Sequence, residues 1–121
     1  MEISKKFTFE AAHHLPNVPK GHKCARLHGH SFHVIVTVKG ELGAHSGWVC
    51  DFSAIATAWL PLHQLLDHRY LNEVEGLENP TSELLAVWVW ERLVGTLPGL
   101  YSVEVSETCS SAALYRGPSQ G

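Results

Sequence analysis

One short segment of the chain places a thiol and two histidines where they could act on a metal ion together. Cys24, His28 and His30 lie within seven residues. The two histidines are two positions apart, so on an extended strand both rings point to one side, with Cα atoms about 6.6 Å apart. Neutral imidazole is a good zinc ligand, and a catalytic zinc usually has three protein ligands and one open position. The spacing indicates a zinc site and leaves open whether Cys24 is a further ligand or acts beside the metal.

The alternation of residue types over 2–13 predicts a third ligand. Apolar and polar residues alternate there as in a half-buried antiparallel strand, with His13 on the apolar face and His14 on the other. A buried ring needs a partner, and a metal ion would serve, although a lone core histidine is more often simply hydrogen-bonded. A second strand is expected over 30–39, with His30 at the start of its apolar face. If the two strands pair, His13 joins His28 and His30 in one site. The histidines without such support are expected to be surface or locally hydrogen-bonded residues: His14, His22, His33, His45 and His63.

Composition and charge favour an ordinary globular protein. The 121 residues predict one domain, 1–121, with 45% hydrophobic and 17% charged residues. A net charge of −3 offers no broad basic surface for nucleic acid. No apolar run has the length of a membrane span, and the first residues do not resemble a signal peptide. The three cysteines stand in dissimilar contexts, which favours reduced thiols and a cytoplasmic location.

The middle of the chain has the pattern of two helices. The first is expected to follow a cap at or just after Asp51, with a kink or break at Pro61. The second is expected to begin with Asn79 as cap and Pro80 in the first turn. Residues 84–90 are apolar nearly all round, so one face can cover the sheet, and the first helix or a second subunit has to cover the rest.

The last part of the chain resumes the alternation of a strand. Residues 101, 103 and 105 are apolar on one face, and Glu107 ends that face. A carboxylate there must be paired or protonated, unless the strand simply ends and Glu107 reaches water. A final strand is expected around Leu114 and Tyr115. Two strands, two helices and two strands predict an α+β fold, with a four-stranded antiparallel sheet covered on one face by two helices.

Several segments together resemble the 6-pyruvoyl-tetrahydropterin synthase family. In order from about Phe7 to Gly117 they are Phe9–Glu10–Ala11–Ala12–His13, Cys24 with His28–Gly29–His30, Asp51–Phe52, Leu66–Asp67–His68, Asn79–Pro80–Thr81–Ser82–Glu83 and Glu107–Thr108. The three-residue gap between Cys24 and His28 is similar to that in the family's 6-carboxy-tetrahydropterin synthases of queuosine biosynthesis.

The resemblance implies a fold, an assembly and a reaction. The fold would be the tunnelling fold, and the assembly a homohexamer of two stacked trimers. The substrate would be 7,8-dihydroneopterin triphosphate, converted to 6-carboxy-tetrahydropterin with release of acetaldehyde and triphosphate, so the partner would be a small pterin.

The resemblance also implies roles for individual residues. One zinc ion per subunit would be bound by His13, His28 and His30, with Cys24 as the base that removes a proton. Asp67 and His68 would orient groups and shuttle protons, and Glu107 would bind the pterin ring. From the residues alone, the favoured interpretation of Asp67 and His68 is a pair at a helix end that ties down a loop.

Two other functions stay open. One is a different pterin enzyme on the same fold, such as a 6-pyruvoyl-tetrahydropterin synthase or another pterin side-chain lyase. The other is a non-catalytic, zinc-stabilised module in which Cys24 closes the site as the fourth ligand.

Overall fold

The computed structural model describes residues 1–108 and 110–119, in which two helices lie against one sheet. Cys24 and Cys50 are free thiols, and Cys109 lies outside the described residues. Within the described part, no helix has the length and apolar character of a membrane span. In chain order the elements are β1 (Glu2–His13), β2 (His28–Lys39), α1 (Phe52–Leu66), β3 (Arg69–Tyr70), α2 (Ser82–Leu93), β4 (Leu100–Thr108) and β5 (Ser111–Tyr115), with 3₁₀ turns at Lys23–Ala25 and Leu71–Glu73.

The sheet has five strands in the order β3-β1-β2-β4-β5, one more than the four predicted. The additional strand, Arg69–Tyr70, pairs in parallel with Ala11 and Ala12, so the sheet is mixed rather than purely antiparallel. Two residues are too few to show any alternation, which is why the pattern could not reveal β3. The α+β class and the order of the other elements agree with the prediction.

The central pair of strands, β1 and β2, contributes most of the core side chains that come from the sheet. Phe9 lies opposite Phe32, and their rings stack with centroids 5.0 Å apart. Along β2 the inward positions Phe32, Val34 and Val36 are fully buried. Their alternation with half-exposed or exposed residues is the pattern that the sequence predicts for a half-buried strand.

Helix α1 begins as predicted and continues through its proline. The Asp51 carboxylate caps it by accepting the Ser53 N–H at 2.9 Å. The helix runs continuously from Phe52 to Leu66, so of the expected kink or break at Pro61, a break is wrong. Pro61 and Thr57, whose carbonyl loses its helical partner, both lie on the exposed side, where water can bind that carbonyl.

Helix α2 begins two residues later than predicted. Its cap is Thr81, whose hydroxyl accepts the Leu84 N–H at 3.0 Å, and not Asn79. Pro80 therefore lies before the helix, with its carbonyl free to bond elsewhere. Most of the apolar 84–90 stretch is covered within the chain by β4 and β5, where Trp90 contacts Tyr115 with ring centroids 5.6 Å apart.

Candidate metal centre and active site

Strand pairing brings three histidines together at one end of the sheet. His13 ends β1 directly opposite His28, the first residue of β2, and Ala11 lies opposite His30. The three rings have centroids 4.6, 4.7 and 5.1 Å apart. One ligand atom from each residue lies within 4.8 Å of the other two, so the group could hold a metal ion.

Backbone carbonyls fix the orientation of two of these rings. The Nδ1 atom of His13 lies 2.8 Å from the Pro80 carbonyl oxygen, and that of His28 lies 2.6 Å from the Arg26 carbonyl oxygen. A carbonyl can only accept, so each Nδ1 donates a proton and the neutral ring has its lone pair on Nε2. This is the arrangement in which histidine binds metals.

The electrostatics of the group fit a bound cation. The Nε2 atom of His13 is buried without a hydrogen-bond partner, and an unpaired buried polar atom is costly. Burial is the largest influence on His13 and lowers its pKa, which favours the neutral ring that a metal needs. A donor set of three imidazoles suits zinc.

His14 lies outside this group, as the parity of β1 predicts. Its Nδ1 is 2.6 Å from the Tyr70 hydroxyl oxygen. Its backbone N–H donates to Asn72 Oδ1 at 3.0 Å, and its carbonyl accepts from Asn72 Nδ2 at 2.9 Å. The Asn72 amide therefore holds the end of β1 just after His13, a contact that the sequence pattern does not indicate.

Glu107 reaches the histidine group from β4. Its carboxylate oxygens lie 3.8 Å from Nε2 of His13 and 3.2 Å from Nε2 of His30. The Ser82 hydroxyl donates to Oε1 at 3.0 Å. The carboxylate is 24% exposed, so Glu107 is paired at the edge of a cavity and is neither fully buried nor free in water. Ser82, at the start of α2, is a partner that sequence analysis missed.

Cys24 lies beside the histidine group rather than in it. Its thiol is half-buried in the 3₁₀ turn Lys23–Ala25. Cys24 lines a cavity of about 400 Å³ together with Lys23, His28, His30 and Glu107. Among the described residues, the set whose ligand atoms lie within 4.8 Å contains only the three histidines. Cys24 and Glu107 thus share a cavity with two of the three histidines that could hold a metal ion.

Asp67 and His68 form a pair at the end of α1. His68 Nδ1 lies 2.8 Å from Asp67 Oδ2, and the Glu10 N–H donates to Asp67 Oδ1 at 3.0 Å. That backbone hydrogen bond, followed by the one from His68, lowers the pKa of Asp67, so its carboxylate stays ionised. The pair also ties the loop to β1, because the His68 N–H donates to the Glu10 carbonyl at 2.6 Å.

The Asp67–His68 pair does not line the cavity of Cys24. His68 lines a wide depression of about 620 Å³, to which Glu10, Ser31 and the candidate metal ligand His30 also contribute. Its side chain is 78% exposed. Its φ of 57° is the only positive value at a non-glycine residue in the described part of the chain, and such strained backbone often occurs at functional positions. His63, expected to be a surface or locally hydrogen-bonded residue, has its Nε2 3.5 Å from Asp67 Oδ2, a local contact at i,i+4 spacing.

Comparisons with known proteins agree with this geometry. The family model for 6-pyruvoyl tetrahydropterin synthase matches residues 2–118. The chain is 50% identical over 122 residues to a 6-carboxy-5,6,7,8-tetrahydropterin synthase of Synechocystis sp., covering 96% of this chain and 93% of that protein. It is 38% identical over 97 residues to a dihydroneopterin monophosphate aldolase of Pyrococcus furiosus, covering 80% and 78%.

A solved structure shows the same architecture. The 6-pyruvoyl tetrahydropterin synthase of Caenorhabditis elegans superposes with a TM-score of 0.89 at 27% identity, over 98% of this chain and 96% of that one. This likeness confirms the expected tunnelling fold. With a matching family model over nearly the whole chain and a relative at 50% identity, the protein belongs to the 6-pyruvoyl tetrahydropterin synthase family.

Proposed function

We propose that this protein is a zinc-dependent lyase that converts 7,8-dihydroneopterin triphosphate to 6-carboxy-5,6,7,8-tetrahydropterin, releasing acetaldehyde and triphosphate, in queuosine biosynthesis. One observation carries the proposal. Cys24, two histidines of the convergent group and Glu107 line a single cavity, in a chain half identical to a protein named for that activity. We also propose that 1–121 form one domain and, because Cys24 and Cys50 are free thiols, that the enzyme works in the cytoplasm.

The metal would be held by His13, His28 and His30, one ion per subunit. When bound, zinc would act as a Lewis acid that binds the substrate's side-chain hydroxyls and makes the adjacent C–H more acidic. The chain supplies the orientation, because the carbonyls of Pro80 and Arg26 hold two of the rings with Nε2 directed away from them.

Cys24 would remove the proton from the substrate carbon. A thiol acts as a base in its thiolate form, which nearby positive charge favours. The Lys23 ammonium lines the same cavity and would contribute such a charge beside the metal. Cys24 itself is half-buried and lines that cavity.

Asp67 and His68 would orient groups and move protons. The Asp67 carboxylate fixes the imidazole of His68 through Nδ1, which leaves Nε2 to accept or donate a proton. Since His68 is highly exposed and does not line the cavity of Cys24 in the same chain, the pair would serve the site of a neighbouring subunit.

Glu107 would bind the pterin ring. A carboxylate presents two acceptor oxygens, which match the adjacent amino and ring N–H donors of a pterin. The carboxylate lies at the cavity beside the histidines, and the Ser82 hydroxyl holds one of its oxygens. The ring would thus be anchored with its side chain toward the metal.

A homohexamer of two stacked trimers would complete these sites. Among the described residues, β5 has a partner strand on one side only, and β3 covers β1 only at Ala11 and Ala12. Long open edges of this kind promote association. Joining three sheets edge to edge into a closed barrel would remove them.

Two other functions remain distinguishable by experiment. The likeness to the dihydroneopterin monophosphate aldolase favours, as a second candidate, a related pterin side-chain lyase with a different product. A zinc-stabilised module without activity would use Cys24 as a fourth ligand and would need the thiol for metal binding.

Product analysis with a thiol variant tests the proposed reaction. Wild-type protein incubated with 7,8-dihydroneopterin triphosphate should yield 6-carboxy-5,6,7,8-tetrahydropterin and acetaldehyde, identified by mass spectrometry. Cys24→Ala should lose turnover by at least about 100-fold, as expected for loss of a general base, and keep its zinc. Cys50→Ala removes a thiol that does not line the cavity and should behave as wild type. A different pterin product would support the second candidate, and loss of zinc in Cys24→Ala would support the module.

Measuring the metal content of two variants tests whether His13, and not His14, is a zinc ligand. His13→Ala should weaken zinc binding by more than about 100-fold, since even losing a residue that supports a metal ligand costs 10–100-fold. His14→Ala should bind zinc normally because its ring contacts Tyr70 instead. Zinc is measured by competition with a chromogenic chelator. The reverse pattern would place His14 in the site and refute the strand register.

Substitution of Glu107 tests the pterin anchor. Glu107→Gln places an amide donor against a ring donor, which should weaken substrate binding by about ten- to a hundredfold, or 1–3 kcal/mol. Glu104→Gln, which changes a carboxylate of the same strand that does not line the cavity of Cys24, is the matched control. Zinc content should be unchanged in both, and the free energy of unfolding should not fall in Glu107→Gln, because the amide oxygen can still accept the Ser82 hydroxyl. If Glu107→Gln binds the substrate normally in calorimetry, another residue binds the pterin ring.

The mass in solution tests the assembly. Sedimentation at micromolar protein should give six times the mass of the chain. Because Asp67 and His68 would act on a neighbour's site, an inactive His68→Ala variant mixed and reassembled with inactive Cys24→Ala should regain part of the activity. A monomeric mass for the active enzyme would contradict the shared site.

A further inference from the structure

Both backbone polar groups of Cys24, its N–H and its carbonyl, are hydrogen-bonded. The Leu15 N–H donates to the Cys24 carbonyl at 2.7 Å. The Cys24 N–H donates to Nδ1 of His22 at 3.0 Å. One anchor thus comes from the chain that leaves β1, and the other from an imidazole two residues before the thiol.

His22 acts as the cap of the 3₁₀ turn Lys23–Ala25. Its backbone is extended, with φ −66° and ψ 138°, and its carbonyl accepts the Ala25 N–H at 3.0 Å. The first N–H groups of such a turn have no partner within it, and a side-chain acceptor at the cap satisfies one of them. Serine, threonine, aspartate and asparagine usually do this, and here an imidazole nitrogen takes their place.

The position of His22 is itself fixed by the preceding loop. Its N–H donates to the Pro19 carbonyl at 3.0 Å. Gly21 has φ +86°, in the left-handed region that glycine adopts without steric cost. His22 is exposed and does not line the cavity that contains Cys24. Any effect of its imidazole on the reaction would therefore pass through the turn.

We propose that His22 is a positioning residue for Cys24, whose side-chain cap holds the 3₁₀ turn in the conformation that presents the thiol to the cavity. The inference rests on the proposed role of Cys24 as the base. It gives a role in the reaction to a histidine for which the sequence predicts only a surface or local hydrogen-bonding position.

Two substitutions of His22 distinguish the effect of losing the cap from the effect of losing the imidazole ring. In the zinc-loaded enzyme, His22→Ala should lower kcat by about three- to thirtyfold, the range that corresponds to losing one cap. KM for 7,8-dihydroneopterin triphosphate and zinc content should be unchanged. His22→Asn, which restores an acceptor at the cap, should recover most of kcat. His45→Ala removes an exposed imidazole outside this loop and is the control.

Backbone hydrogen exchange provides a readout that does not need turnover. Peptides covering 20–27 should exchange faster in His22→Ala than in wild type, with His22→Asn close to wild type. Unchanged kcat in His22→Ala, equal loss in both variants, or unchanged exchange would each overturn the proposal. If the wild-type enzyme does not convert the pterin at all, the proposed function fails, whereas the exchange rates still decide whether His22 holds the turn.

Discussion

The pairing register of β1 and β2 is the constraint on which the site depends. His13 lies opposite His28, and Ala11 opposite His30, only because Phe9 and Phe32 face each other deeper in the sheet. Side chains alternate with a period of two, so a slip by one residue would send His13 to the other face and bury His14 in its place. The stacked rings of Phe9 and Phe32 are almost fully buried, and such a slip would expose one of them. The apolar core therefore fixes where the imidazoles meet.

The second constraint is that the site uses backbone carbonyls from outside the sheet. The Pro80 carbonyl that holds His13 is available because α2 begins after it, at Ser82. Ser82 in turn donates to Glu107, which lies beside His13 and His30. The start of α2 thus sets the orientation of one candidate metal ligand and the position of the proposed pterin anchor. This connection explains why a helix that packs on β4 and β5 matters for chemistry at the end of β1.

Strand parity made much of this predictable from the sequence. The alternation over 2–13 placed His13 inward, and the burial of His13 and Phe9 confirms that strand and its face. Contacts between distant segments were not predictable, because the bonds of His13 to Pro80 and of Glu107 to Ser82 span 67 and 25 residues. The sequence predicts the cap of α2 two residues early because Asn79–Pro80 has the local pattern of a helix start, whereas the Thr81 hydroxyl provides the cap. The two-residue β3 is set by its place beside β1 and by no pattern of its own.

The central claim is that three imidazoles form an open metal site with the Cys24 thiol beside it. X-ray absorption of the zinc-loaded protein tests this most directly, since zinc–sulfur and zinc–nitrogen distances differ by about 0.2–0.3 Å. The account predicts only nitrogen or oxygen neighbours, at about 2.0–2.1 Å, with the multiple scattering that is characteristic of imidazole. A sulfur neighbour at about 2.3 Å would make Cys24 a ligand and contradict the account.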